Sequence, residues 1–273
     1  MIIEQENLKK ELSMILKIFE TSQGEIRPHF ILTGQSGSGK SHIIASLAEE
    51  MDLEFLEINA AQLTKEGTSG NSLSKAMSPL ANKQQNLTVC FVDEFDKLFI
   101  SGNSNDAMAH ETTNGVQNEF LKVLEADHAS VFGDYGKYAT ISVKNVLFIF
   151  AGAFNGEANI NLDRLRDFGV KTEFLGRVGL VFNTEKLSLN SLYTILYNSP
   201  ILAGYLKLFP KVEKDEVAAL IGSHIAAGYE KNTLGIRMIN TLIHQYFIKG
   251  GHLDKADAQQ VVFQKTLSFE VSK

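Results

Sequence analysis

Five short apolar runs punctuate the first two thirds of the chain: Phe30–Leu32, Phe55–Ile58, Thr88–Val92, Val146–Phe150 and Leu180–Phe182. Each is too short for a buried helix and is bounded by polar or glycine-rich sequence, so each predicts a strand. Between them lie helix-like stretches at Ser41–Glu50, Ser72–Ala81 and Val116–Glu125. Strands that alternate with helices predict an α/β fold, a mostly parallel sheet covered by helices on both faces. Ahead of the first strand, Leu8, Leu12, Ile15, Leu16 and Phe19 recur at helical spacing and predict an amphipathic opening helix. After about residue 185 only helical patterns remain, at Leu187–Tyr197, Asp215–Ala227 and Thr233–Phe247, followed by a strand-like tail at Gln260–Val271. The expected organisation is therefore an α/β domain over 1–185 and a small, mainly helical domain with short terminal strands over 186–273. Two polar stretches, Ser101–Thr113 and Ala129–Thr140, read as loops.

Composition narrows the class without naming a chemistry. The 273 residues are 44% hydrophobic and 21% charged, ordinary for a folded soluble chain with a sizeable core. Val146–Ala153 is among the longest apolar stretches and is far too short to cross a bilayer. The amino terminus carries Glu4, Glu6, Lys9 and Lys10 where a signal peptide would need an apolar core, so a cytoplasmic location without membrane attachment is the expectation. A single cysteine, Cys90, excludes an internal disulfide and a cysteine-based metal cluster, and its apolar neighbours predict burial. The histidines are scattered, so no zinc site is expected. A net charge of −6 disfavours a dedicated nucleic-acid binder, although local basic patches on an oligomer would remain compatible with one.

The chemistry begins directly after the first strand. Gly34-Gln35-Ser36-Gly37-Ser38-Gly39-Lys40-Ser41 is a complete GxxxxGK[ST] loop in a strand–loop–helix context. Glycines let successive N–H groups turn inward around phosphates, and the next helix offers the positive end of its dipole to the same anion. Lys40 then reaches the β- and γ-phosphates and Ser41 can hold Mg²⁺, so ATP with Mg²⁺ is the expected cofactor pair. About fifty residues later, the strand Leu87–Val92 ends in Asp93-Glu94. Two acids could simply solvate a strand end. Beside an intact phosphate loop they read as chemistry, with Asp93 orienting Mg²⁺ and Glu94 polarising the attacking water.

These residues, together with Phe95-Asp96-Lys97, the helix start Gly115-Val116-Gln117, the strand ending Gly152-Ala153-Phe154 and the run Phe168–Arg177, resemble the AAA+ ATPases, and within them the ClpX and HslU unfoldases of the Clp/Hsp100 class. The resemblance extends over nearly the whole chain. It implies a P-loop NTPase sheet with a helical lid, a homo-oligomeric ring, most simply a hexamer, and an ATPase site shared between subunits. In that family the arginine ending the Glu-Phe-x-Gly-Arg run reaches the neighbour's γ-phosphate, which makes Arg177 the finger acting in trans; an arginine here could also just pair a carboxylate. Gly235-Ile236-Arg237 is similar to the start of the lid helix that carries a second sensor, so Arg237 would contact nucleotide in cis, or else be an ordinary surface arginine.

Departures from the pattern bear on what the ATPase acts on. Where the unfoldases carry an aromatic Gly-Tyr-Val-Gly pore loop, this chain has Gly67-Thr68-Ser69-Gly70, and no aromatic occurs between Phe55 and Phe91. Phe99, Met108 or His110 in the flanking loop could face a ring axis instead. The strand Val146–Phe150 continues into Ala151-Gly152 without the usual first-sensor Asn or Thr, and the nearest amide is Asn155. The interval from Phe154 to Arg177 is too short for a peptidase-docking loop, and the single cysteine leaves no zinc module, so partnership with a ClpP-type peptidase is not expected. Two functions follow: ATP-driven remodelling, unfolding or disassembly of a protein partner, directly or through an adaptor, or an ATP-switched assembly or loading factor on a nucleic-acid complex that threads no polypeptide.

Overall fold

The computed structural model describes residues 5–65, 70–82, 86–99, 107–133, 137–231 and 235–253. By their contacts these fall into two units, one of 5–35 and 39–185 and one of 36–38 and 186–253.

In the first unit, α1 (Glu6–Thr21) leads into β1 (Phe30–Thr33), α2 (Lys40–Glu50), β2 (Glu54–Asn59), a single helical turn α3 (Leu73–Ala76), β3 (Thr88–Asp93), α4 (Ala107–Glu125), the hairpin β4 (His128–Phe132) and β5 (Tyr138–Ser142), β6 (Val146–Gly152), α5 (Leu162–Asp167), α6 (Thr172–Arg177) and β7 (Leu180–Asn183). Five strands form one parallel sheet in the order β2-β3-β6-β1-β7. These are the five expected strands. The runs of the three central strands β1, β3 and β6 are apolar at nearly every position because both faces are covered, while the edge strands β2 and β7 are only partly buried. Alternate residues serve opposite faces: Phe30, Leu32, Val89, Phe91, Leu147 and Ile149 pack with α1 and α2, while Ile31, Cys90, Val92, Phe148 and Phe150 pack with α4 and α6. Cys90 is fully buried, which pushes its thiol pKa up and removes it from thiolate chemistry.

Several expected boundaries are corrected. Ala129–Thr140 is not a loop, since most of it is the β4–β5 hairpin, in which Val131 and Ile141 alternate with exposed neighbours and sink into the core. The polar stretch expected to end at Thr113 turns helical at Ala107, consistent with the helix formers Ala107, Met108, Ala109 and Glu111. Phe99 packs edge-on against Phe95 at 4.8 Å. The helix expected over Ser72–Ala81 breaks before Pro79, which would lose an interior hydrogen bond. Gly67–Ser69, the side chains of Met108 and His110, and the tail Gln260–Val271 lie outside the described residues.

In the second unit, α7 (Leu189–Tyr197), α8 (Pro200–Leu208), α9 (Lys214–Gly228) and α10 (Ile236–Ile248) enclose their own core of Leu192, Leu202, Ile221, Ile225, Ile239 and Ile243. The helix α8 was not expected, although its signal is present: Ser199 caps Leu202 N at 3.3 Å and Pro200 occupies the first helical position. Between α7 and α9 the close approach is made at Gly222, where an added Cβ would lie 2.8 Å from the Tyr193 ring. Among the described residues no helix is long and apolar enough to cross a membrane.

Candidate active site

All five strands of the sheet point the same way, so the loops leaving β1, β3 and β6 emerge together at its carboxyl edge, the usual ligand-binding edge of such sheets. Val92, Phe150 and Ile31 share one register row. Asp93 therefore ends β3 two strand spacings, about 10 Å, from the residue that leads into the phosphate loop.

The loop itself is held by close backbone approaches. Gly34, Gly37 and Gly39 all have positive φ. An added Cβ at Gly34 would lie 1.8 Å from Thr184 Oγ1, so only glycine fits between β1 and the segment leaving β7. Gly39 in the left-handed region starts α2, whose first residue is Lys40. The Lys40 ammonium is buried and donates to the carbonyls of Gly34 at 2.7 Å and Gln35 at 3.0 Å, which ties it across the mouth of the loop. Ser38 is also buried, and Gln35 and Ser41 are partly exposed. The tip, 36–38, groups with the C-terminal unit. Inside that unit Ile236 N donates to Gly37 O at 3.0 Å and Arg237 Nη1 to Ser36 Oγ at 3.0 Å. Gly235, with φ +52°, is required there because a Cβ would meet Gly37 O at 2.4 Å.

At the end of β3, Asp93 Oδ1 accepts from Glu94 N at 2.8 Å. Glu94 is exposed and left-handed at φ 55°, ψ 30°, so the chain turns sharply and leaves its carboxylate on the surface of the carboxyl edge. Burial, and then the charge of Asp93, raise the pKa of the Glu57 carboxyl. Arg177 ends α6, where Nε donates to Glu125 Oε1 at 2.9 Å and a second guanidinium nitrogen also bonds that oxygen. Within the single chain, then, Arg177 does pair a carboxylate.

Several contacts at this edge involve residues that no sequence motif marks. Thr33 Oγ1 donates to Asn183 Oδ1 at 2.6 Å, and Asn183 also bonds both backbone groups of Ile160, tying β1, β7 and the segment before α5 together under the phosphate loop. Thr184 and Glu125 belong to this group as well. The contacts of Thr33 with Asn183 and Thr184 and of Glu125 with Arg177 cross more than fifty residues of sequence, and no local motif marks them.

Comparison with known proteins gives one family model, the ATPase family associated with various cellular activities (AAA), over residues 30–174. Among curated proteins the chain is similar to the ATP-dependent Clp protease ATP-binding subunit ClpX 2 of Wolinella succinogenes, 28% identical over 87% of this chain and 72% of that protein. It is 27% identical to the ClpX subunit of Borrelia duttonii, over 76% of this chain and 61% of the relative, and 23% identical to that of Bacteroides thetaiotaomicron, over 76% and 63%. The match thus spans about three fifths to under three quarters of the length of these relatives.

Proposed function

Since the chain belongs to the AAA family of ATPases and is an ATP-hydrolysing enzyme, we propose that it is a Mg²⁺-dependent ring ATPase that remodels, unfolds or disassembles a protein partner, with each ATP site completed by the neighbouring protomer. The observation that carries the site assignment is the phosphate loop. At Gly34 a side chain would collide with Thr184, Gly37 and Gly39 hold positive φ, and the lysine lies buried across the mouth where β- and γ-phosphates would sit. Gly34 to Ser41 cradle the phosphates and Lys40 exchanges its two carbonyl partners for phosphate oxygens.

Magnesium fits the residues present. No cluster of three or more His, Cys, Asp or Glu side chains able to hold a metal exists among the described residues. A site of one carboxylate, one hydroxyl and the substrate's own phosphates is what this cation normally uses. Asp93 and Ser41 would hold it, and when bound it supplies charge neutralisation across the phosphates. Glu94, exposed on the carboxyl edge, takes the proton of the attacking water. Arg177 leaves Glu125 to stabilise the γ-phosphate of the next protomer, and Arg237 contacts nucleotide from the lid helix in cis. Because hydrolysis changes what these arginines hold, it drives domain movement.

The choice of a protein over a nucleic-acid complex as the object of this work is supported by the matched relatives, which are named as subunits of a protease, and by the net charge of −6. A cytoplasmic setting accords with this reading. Glu94→Gln should bind ATP with near wild-type affinity and lose at least about 10²-fold in turnover, measured by equilibrium nucleotide binding and phosphate release. Protein retained by this variant in the presence of ATP, and released when ATP is removed, would identify the partner; salt-sensitive retention of DNA or RNA instead would overturn the protein-remodelling reading.

A further inference from the structure

Asp96 is the one buried acid among the described residues, at 1% exposure, and the phosphate chemistry above leaves it unused. A carboxylate is costly to bury unless it is bonded, so its partners indicate its purpose. Oδ2 accepts from the backbone N–H of Phe154 at 3.2 Å, and the half-exposed Lys97 ammonium stands 3.7 Å from the same oxygen. An added Cβ at Gly152 would lie 2.9 Å from Oδ1, so the carboxylate lies directly against the end of β6.

The turn that Asp96 grips is strained and lies beside the phosphate loop. Phe154 and Asn155 both adopt positive φ, +43° and +59°, and a bulky aromatic in that region is an outlier that needs outside support. The turn is closed by Gly156 N to Ala153 O at 2.7 Å and Glu157 N to Phe154 O at 3.2 Å. On its outer side a Cβ at Gly156 would be 3.5 Å from Gln35 Cγ, and Gly34 N donates to Gly152 O at 3.3 Å. Asn155 is exposed on this turn. A continuous path therefore runs from Glu94, through Asp96 two residues later, to the β6 turn and on to the phosphate loop.

The geometry points to Asp96 as a positioning residue for ATP hydrolysis: its buried carboxylate holds the left-handed Phe154–Asn155 turn against the phosphate loop, so that Asn155 is presented beside the phosphates. The assignment rests on the reading of Gly34–Ser41 and Glu94 as the hydrolytic machinery. It explains why a carboxylate sits where an apolar residue would pack without desolvation cost, and why the turn keeps its strained backbone.

The test compares Asp96→Ala, Asp96→Asn, Asn155→Ala and the Asp96→Ala/Asn155→Ala double variant in the full chain, measuring turnover, ATP affinity and thermal unfolding. A displaced turn should lower turnover by about tenfold or more in Asp96→Ala and in Asn155→Ala, while ATP affinity stays within about threefold. Asp96→Asn, whose carbonyl still accepts from Phe154 N, should recover most of the turnover. The double variant should lose no more than the worse single one, since both act through one turn. A purely structural Asp96 would instead lower the unfolding midpoint with turnover per folded protein unchanged. Wild-type turnover in Asn155→Ala, a surface change that leaves the core intact, overturns the proposal even if Asp96→Ala fails to fold. Glu94→Gln separates the two levels: if it hydrolyses ATP normally the reading of the phosphate site fails, whereas if it is inactive and Asn155→Ala is not impaired, only the assignment of Asp96 fails.

Discussion

Arg177 and Glu125 are each about half exposed, and a surface pair of this kind is worth at most about 1 kcal/mol. A γ-phosphate presented by a neighbour can therefore outcompete Glu125 for the guanidinium. Arg177→Ala should lower turnover by about 10³-fold and leave the ATP affinity of an isolated protomer unchanged, whereas Glu125→Ala should shift stability by less than about 1 kcal/mol; phosphate release, nucleotide binding and thermal melts check the three values. Burial, and next the nearby Arg27 charge, lower the pKa of His29 from 6.5 to about 4, and its Nδ1 accepts from Phe148 N at 3.0 Å. The folded state thus favours the neutral ring. This stabilisation is complete above pH 6.5, is lost as the pH falls toward 4, and is on the order of 3 kcal/mol. Relative to wild type, His29→Gln should flatten the stability profile between pH 6.5 and 4 in denaturant titrations. The places of Lys40 after β1 and of Asp93 and Glu94 at the end of β3 were legible in the sequence because a short apolar run precedes each of them. Glu125, Thr184 and Asn183 were not, because their partners lie far away along the chain.

Among the elements, the central strands β1, β3 and β6 were legible because each is a compact apolar run buried on both faces, while the partly covered edge strands β2 and β7 were legible from short apolar runs between turns. The β4–β5 hairpin escaped because only Val131 and Ile141 are buried in it, too little alternation to stand out from a polar loop. Glycines carried a different kind of information. The sequence marks Gly34 as part of a phosphate loop, but the physical requirement, Thr184 1.8 Å from the missing Cβ and φ of +142°, appears only once β7 lies beside β1. Gly34→Ala should weaken ATP binding at least about tenfold without abolishing cooperative unfolding. Adding Thr184→Ala should recover only part of that loss, since it relieves the contact and leaves the backbone conformation disfavoured; equilibrium nucleotide binding measures both.

For the molecule as a whole, the ATPase family and its α/β sheet were legible from motifs spread along the chain, and the family match over 30–174 agrees with them. How force would reach a substrate is less conventional, because Gly67–Gly70 offers no aromatic grip and none occurs between Phe55 and Phe91. In the proposed ring, one protomer would contribute the phosphate loop and Glu94, and the next would contribute Arg177. The most direct test mixes two inactive variants, Glu94→Gln and Arg177→Ala, under conditions that allow subunits to exchange. In a ring with shared sites, an Arg177→Ala protomer keeps a working Glu94 and can borrow Arg177 from a Glu94→Gln neighbour, so about a quarter of the interfaces in an equal random mixture regain a complete site. ATP turnover should then rise well above that of either variant alone and peak near equal proportions. Turnover that stays at the sum of the two separate proteins at every ratio, although they co-assemble, would contradict the shared site.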